Sequence, residues 1–194
     1  MSVITGKGIY QLKVTLVGTK PPIWRRILVP SNIQLNELHM VLQRAMGWEN
    51  YHLHQFVAGG ITYGIHDDEF GMDMEVEDEK KCKLHEILRS EKKAITYEYD
   101  FGDSWVHKVV LEKILPYDKD QQLPRCIAGK RACPPEDCGG VWGYEEMLDL
   151  LQHPEDPEYE ERMEWLGGEF DPDGFNVAEV NLELIGYFER EHHE

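Results

Sequence analysis

Apolar and polar positions alternate over residues 10–17, with Tyr10, Leu12, Val14 and Leu16 on one side and Gln11, Lys13 and Thr15 on the other. A period of two marks a half-buried strand. Gly18-Thr19-Lys20-Pro21-Pro22 reads as a turn, and residues 23–29 as a second strand with Trp24 on the face opposite Arg25, so the pair forms a hairpin. Leu35, Leu38, His39, Leu42, Ala45 and Met46 then recur at helical spacing. Ser31 or Asn32 can cap and Gly47 suits the C′ position, which predicts an amphipathic helix over 33–46. His39 falls on or beside the apolar stripe, where the plain expectation is a core-edge histidine bonded to a neighbour.

Residues 51–58 alternate again, placing His52, His54 and Phe56 on one side, and Gly59-Gly60 turns the chain into a short strand at 61–64. The acidic stretch 66–80 reads as a solvated loop, its spacing unlike a calcium-binding loop. A short helix is expected over 84–88. Residues 94–99 and 105–114 are two further strands joined by Asp100-Phe101-Gly102-Asp103-Ser104, a second hairpin. Periodicity is lost from Pro116 to Gly143. Helices follow at about 144–151 and 158–166, then a turn at Asp171-Pro172-Asp173-Gly174. A last helix runs through Val177, Val180, Leu184 and Phe188, with Asn176 and Glu179 as its capping pair. His192-His193 reads as a frayed tail.

The order hairpin, helix, strand pair, short helix, hairpin argues against a ferredoxin-like fold, which opens strand-helix-strand. It predicts an α+β domain: a mixed sheet of about five to six strands around one amphipathic helix, β-grasp-like, with a helical extension at the C-terminus. The whole chain, 1–194, is expected to be one domain, with a core over 8–115, an irregular loop over 116–142 and the extension over 143–190.

Charge alters this picture most. Asp and Glu number 37 against 20 Lys and Arg, a formal net charge of −17. Such a surface repels phosphate backbones, so direct nucleic-acid binding is not expected unless a local basic patch overrides the net charge. The hydrophobic fraction, 41% with 10% aromatics, excludes global disorder. No apolar run is long enough to span a bilayer and no secretory h-region is visible, so a cytoplasmic protein with four reduced cysteines is expected.

Candidate chemistry gathers in three places. The first is 126–140, where Cys126, Cys133 and Cys138 lie beside Pro134-Pro135 and Gly139-Gly140. The spacings only partly match structural zinc, and Cys82 or a histidine would have to be the fourth ligand. Alternatively, Cys138 lies near a helix start with Arg125, Lys130 and Arg131 close in sequence. Both features lower a thiol pKa, and the same loop also suits a small anionic ligand; a rigid loop with inert buried thiols is the plain alternative. The second place is His52, His54 and His107 with Asp100 or Asp103, which could bind a divalent metal or shuttle protons if their strand faces meet. The third, Trp24-Arg25-Arg26, is either an anion-binding cluster or a set of internal ion-pair partners.

These blocks resemble one family. Ile23-Trp24-Arg25-Arg26 with Val29-Pro30, Leu38-His39 through Gly47-Trp48, and His52-Leu53-His54-Gln55-Phe56 are similar to the plasmid pRiA4b ORF-3-like family. So are Tyr97-Glu98-Tyr99-Asp100-Phe101-Gly102-Asp103-Ser104-Trp105-Val106-His107, Pro134-Pro135-Glu136-Asp137-Cys138-Gly139-Gly140 with Gly143-Tyr144, and Phe170-Asp171-Pro172 with Phe175. The resemblance spans about residues 8–188. It implies no catalytic residues. Its association with plasmids and insertion sequences suggests a nucleic-acid context, which the charge opposes.

Two functions are therefore expected to compete. One is a soluble module binding a protein or small anionic ligand at Arg125, Lys130, Arg131, Asp100, Trp105, His107, Cys138, Gly139 and Gly140. The other is an enzyme, with Cys138 as nucleophile and His107 or His54 as base, Asp103 near them, or with a metal held among Cys126, Cys133, Cys138, His52 and His54. Both require the 125–143 segment to fold over the Asp100–Ser104 turn.

Overall fold

The computed structural model describes residues 8–65 and 76–191. The first alternation forms β1 (Gly8–Leu16), antiparallel to β2 (Trp24–Pro30), with Tyr10 opposite Val29 and Val14 opposite Arg25. Helix α1 (Leu35–Met46) starts two residues later than expected. Gln34 caps it, its N–H donating to the Glu37 carboxylate at 3.0 Å, because the Ser31 hydroxyl is used instead to accept the N–H of Gly8 at 3.1 Å. Gly47, at φ 106°, closes the helix as predicted, its N–H bonded to the Gln43 carbonyl.

The remaining strands are β3 (His54–Ala58), β4 (Ile61–Gly64), β5 (Val76–Asp78), β6 (Ala94–Tyr99), β7 (Trp105–Pro116) and β8 (Arg125–Lys130). They join β1 and β2 in one eight-stranded sheet of order β5-β4-β3-β6-β7-β1-β2-β8, in which only β4 and β5 run parallel. The mixed α+β class holds. The strand count exceeds the expected five to six, and nothing in the order identifies a β-grasp. Both extra strands came from stretches read as loop: β5 from the acidic run, β8 from the cysteine segment. Most of the acidic run, 66–75, and the His192-His193 tail lie outside the described residues.

Helices α2 (Leu84–Ile87), α3 (Gly140–Leu150), α4 (Tyr159–Leu166) and α5 (Val177–Glu191) complete the fold. The last is no appendage, for it packs on α1 and β8 and buries Leu184 fully. The Asn181 side chain accepts the N–H of Cys126 and donates to its carbonyl, at 2.8 and 2.9 Å. An amide thus takes the place of a neighbouring strand and closes the β8 edge.

Helix α1 covers one face of the sheet. It buries Leu35, Leu38, Val41 and Leu42, each worth about 1.5–3 kcal/mol when withdrawn from water. Between helix and sheet lies a buried polar layer. The Tyr97 hydroxyl bonds His39 Nδ1 at 2.8 Å and Gln43 Nε2 at 2.9 Å, and His39 Nε2 meets Asn50 at 2.8 Å. His39 is thus the bonded core histidine expected. His54 stacks on it at 3.4 Å and bonds the buried Glu79 at 2.8 Å. His107, fully buried, has no partner of good hydrogen-bond geometry at either ring nitrogen.

Burial lowers His39 to about 3, with the adjacent His54 adding to the effect, and burial lowers His107 to about 4. The unfolded chain protonates these imidazoles near the ordinary value of about 6.5, whereas the folded chain does not until far lower pH, so stability is level above that pH and falls as pH drops below it. The two rings together should cost about 3 kcal/mol between pH 6.5 and 5. Urea midpoints measured across that range should fall accordingly, and His107→Leu should remove about one proton from the slope whatever it does at pH 8.

Candidate functional site

The site grows from a turn. Asp100, left-handed at φ 57°, ends β6; its N–H donates to the Leu53 carbonyl at 2.8 Å and its Oδ1 accepts the N–H of Gly102 at 2.9 Å. The asparagine-like tolerance of Asp for this conformation is what lets a non-glycine open the hairpin here. Ser104, at φ 52°, closes the turn by donating its N–H to the Asp100 carbonyl. Across it lies the segment 134–140. Gly139 donates its N–H to Asp103 Oδ2 at 3.1 Å, and a Cβ on Gly140, at φ 67°, would stand 2.5 Å from the Asp103 carbonyl oxygen. The second half of the 125–143 segment therefore does fold over the hairpin.

Three further bonds lock this junction. Trp48 Nε1 donates to the Pro134 carbonyl at 3.0 Å. Glu136 accepts the N–H of Glu49 at 3.1 Å with one oxygen and the Tyr99 hydroxyl with the other. The Tyr99 oxygen in turn accepts the N–H of Tyr51 at 3.0 Å. Burial, then the Glu136 bond, push the Tyr99 hydroxyl far above its ordinary range.

Within this frame His52 Nε2 lies 3.1 Å from Asp137 Oδ1 and 3.7 Å from Asp100 Oδ2, and the three ligating atoms lie within 4.8 Å of one another. Among the described residues this is the one cluster of metal-ligating side chains so placed. Asp100 is nine-tenths buried, yet its Oδ2 accepts no hydrogen bond among the described residues. His52 Nε2 is itself sheltered from solvent and lacks hydrogen-bond geometry to either carboxylate. Around the cluster Tyr51, Leu53 and Phe101 are exposed, by 70%, 52% and 45%.

The other expected residues are dispersed. His52 and His54 do not share a face, because β3 begins only at His54; His52 turns toward Asp100 while His54 enters the core. His107 and Trp105 are both fully buried, with Trp48 edge-on to His107 at 5.2 Å. Asp103 serves to hold Gly139. Arg125 and Lys130 sit exposed on β8, three strands from β7, and Arg131 is buried against Asp173 at 3.0 Å and the Pro21 carbonyl at 3.1 Å. No cation near Cys138 is thus supplied by those three.

The thiols do not assemble. Cys126 bonds the Ala128 carbonyl at 3.5 Å, Cys82 that of Lys83 at 3.8 Å, and no three of Cys82, Cys126, Cys133 and Cys138 approach as zinc ligands would. Burial, reinforced by the Asp103 charge, pushes Cys138 up to about 12, the reverse of the lowering expected. Burial likewise pushes Cys82 up to about 11 and Cys133 higher still. The third cluster divides. Arg26 pairs with Glu112 at 2.6 Å, as an internal ion pair should. Arg25 is buried without a carboxylate, its Nε donating to the Ala45 carbonyl at 2.8 Å and its guanidinium stacked 4.3 Å over Phe175.

Asp137, Glu136 and Tyr99 were not anticipated. For the two acids the signal lay in the block Pro134–Gly140, where the cysteine drew the chemistry, and for Tyr99 in the block 97–107, where it read as a strand residue. No helix among the described residues is long and apolar enough to cross a membrane.

Two similar proteins match most of the chain. The chain is 36% identical over 175 residues to the uncharacterised protein y4hQ of Sinorhizobium fredii, a match covering 90% of this chain and 89% of that one. It is similar to the crystal structure of a protein of unknown function, MM3350, from Methanosarcina mazei Go1, with 45% identity and a TM-score of 0.81 over 91% of this chain and 99% of that one. The family model described as plasmid pRiA4b ORF-3-like protein matches residues 8–179, a span that runs from β1 into α5 and takes in every part of the junction, and the chain belongs to that family.

Proposed function

We propose that the protein is a ligand-binding module centred on the junction of the Asp100–Ser104 turn with the 134–140 segment, and that a divalent cation held by His52, Asp100 and Asp137 is part of its site. The observation that carries this reading is the free oxygen of the nine-tenths buried Asp100, aimed at an imidazole nitrogen that also lacks a hydrogen-bond partner. The buried His52 Nε2 without a hydrogen-bond partner costs about 1–3 kcal/mol, a cost that a cation shared with the two carboxylates removes. Ligands bound at about 2.1 Å and at tetrahedral or octahedral angles stand about 3.0–3.4 Å apart. The 3.1 Å separation of His52 from Asp137 fits, and the 3.7 Å to Asp100 needs a shift of a few tenths of an ångström. One nitrogen and two carboxylates suit zinc or manganese better than calcium.

The exposed Tyr51, Leu53 and Phe101 supply the apolar part of the site, since solvent-facing aromatics clustered round a polar centre mark interaction surfaces. Carboxylates dominate the junction, so a cationic or cation-bridged ligand is favoured over the small anion expected from Arg125, Lys130 and Arg131, none of which reaches it. A hydrolase reading draws on one feature, that three protein donors leave a metal coordination position open for water. The Cys138 nucleophile draws on none, because the thiol is buried and held protonated.

Titration calorimetry with zinc and manganese chlorides should give one site per chain at pH 7.5, weakened at least about 10-fold by Asp100→Asn or Asp137→Asn. Absence of binding in the unaltered protein would remove the cation. Hydrolysis of nitrophenyl phosphate or acetate that depends on the metal and vanishes in Asp100→Asn would favour the enzyme instead. Iodoacetamide labelling at pH 8 should be slower in the folded than in the urea-unfolded chain by about a thousandfold at Cys138. A fast Cys138 in the folded chain would restore the nucleophile.

A further inference from the structure

One face of the sheet carries α1 and the polar layer; the other is uncovered by any described element, and it is basic. Strand register aligns Lys130, Trp24, Thr15, Lys108 and Thr96 in one row across β8, β2, β1, β7 and β6. Arg26 and Lys13 are neighbours in the next row. The Trp24 ring lies beside both cations, 5.2 Å from Lys13 Nζ and 5.2 Å from the Arg26 guanidinium carbon. Below these rows an open groove of about 620 Å³ is lined by Gln11, Arg26, Lys92, Glu112 and Lys113. The face holds carboxylates as well; Glu91, Glu98 and Glu112 are each hydrogen-bonded to a neighbour, and Glu112 is paired with a cation. Glu112 accepts from Arg26 and Gln11, Glu98 from Gln55, and Glu91 at the margin from the N–H of Ile114.

We infer that this uncovered sheet face binds single-stranded nucleic acid. Lys13, Lys92, Lys108, Lys113 and Lys130 make no ion pair among the described residues, in a chain whose formal charge is −17. The net charge sets the far field, but screening within about 8–10 Å at ordinary salt leaves the local cations to act at contact. Lys130 and Lys108 are three strand spacings apart, about 14 Å, which is room for a run of nucleotides rather than for one phosphate. The face of an eight-stranded sheet is neither the helix nor the two-stranded ribbon that enters a duplex major groove. Trp24, between Thr15 and Lys130 in its row, offers a ring to unstacked bases beside a cation for their phosphates, and that is something duplex DNA and acidic peptides do not use.

The test is fluorescence anisotropy of a labelled thymidine 12-mer titrated with the full chain, with unlabelled duplex and poly-glutamate as competitors. Binding at 50 mM salt is expected to weaken about 20-fold by 200 mM, the slope for about three phosphates neutralised. Lys108→Glu and Lys130→Glu, both at exposed positions, should each weaken it several-fold without moving the melting temperature, and Trp24→Ala should weaken it further. His52→Ala, at the other site, should leave it unchanged. No binding at 50 mM salt, equal binding by Lys108→Glu/Lys130→Glu, or equal displacement by poly-glutamate or duplex would each overturn the inference.

Discussion

The indole of Trp48 sits where everything else meets. Gly47 turns the chain out of α1 in the left-handed conformation and delivers Trp48 into the end of the sheet, 2% exposed, against Tyr99, Trp105 and His107. A buried indole N–H requires an acceptor, and the one present is the Pro134 carbonyl. A single side chain thus ties α1, the hairpin and the irregular segment together, and Asp103, Glu136 and Tyr99 add their bonds around it. Because Pro134 has no N–H and Gly139 and Gly140 both sit at positive φ, the segment can lie flat on the hairpin, where a chain bearing Cβ atoms would collide with the Asp103 carbonyl.

The interior carries more polar groups than a helix-on-sheet core requires. The His39, Tyr97, Gln43 and Asn50 network satisfies its members and fixes how α1 lies on the sheet, whereas His107 and the Trp105 indole are left without partners. Unpaired buried groups cost about 1–3 kcal/mol each, so they sit most easily where packing over-determines the fold, as it does under Trp48. Arg25 is the extreme instance. Burial lowers its pKa, and three backbone carbonyls and the Phe175 ring replace the carboxylate it lacks. Phe175 can approach only because Gly129 offers no Cβ in its path. The closing Phe170–Phe175 block is therefore structural at that end.

Periodicity made β1, β2, α1, β6 and β7 legible, because each presents one continuous apolar face to one core. The residues that failed did so for local reasons. Period two assigned His52 and His54 to one side, but the Tyr51 N–H is bonded to the Tyr99 hydroxyl rather than to a strand ladder, so the strand starts late and the two rings part. Cys138 looked cationic because Arg125, Lys130 and Arg131 are near in sequence. An extended strand carries such neighbours away at about 3.3 Å per residue, and one of the three is turned inward. Asp137 was invisible: an exposed acid among 37 acidic residues has no signature, and a positive φ at a non-glycine leaves none in the sequence.

The basic sheet face admits a blander account, in which lysines merely keep an uncovered sheet soluble and unpaired. Solubility alone would be served as well by glutamate, which raises it at least as effectively. Strand propensity does not choose between them, since Glu and Lys are depleted in strands to similar degrees. The chain elsewhere chooses acid, at 37 residues to 20 overall, and its Glu98 and Glu112 on this face are each bonded to a neighbour rather than left free. Lysines without an ion pair beside a half-buried tryptophan, on a sheet face whose acids are each hydrogen-bonded to a neighbour, are therefore not explained by the composition that governs the rest of the molecule. They are explained by an anion that meets them there.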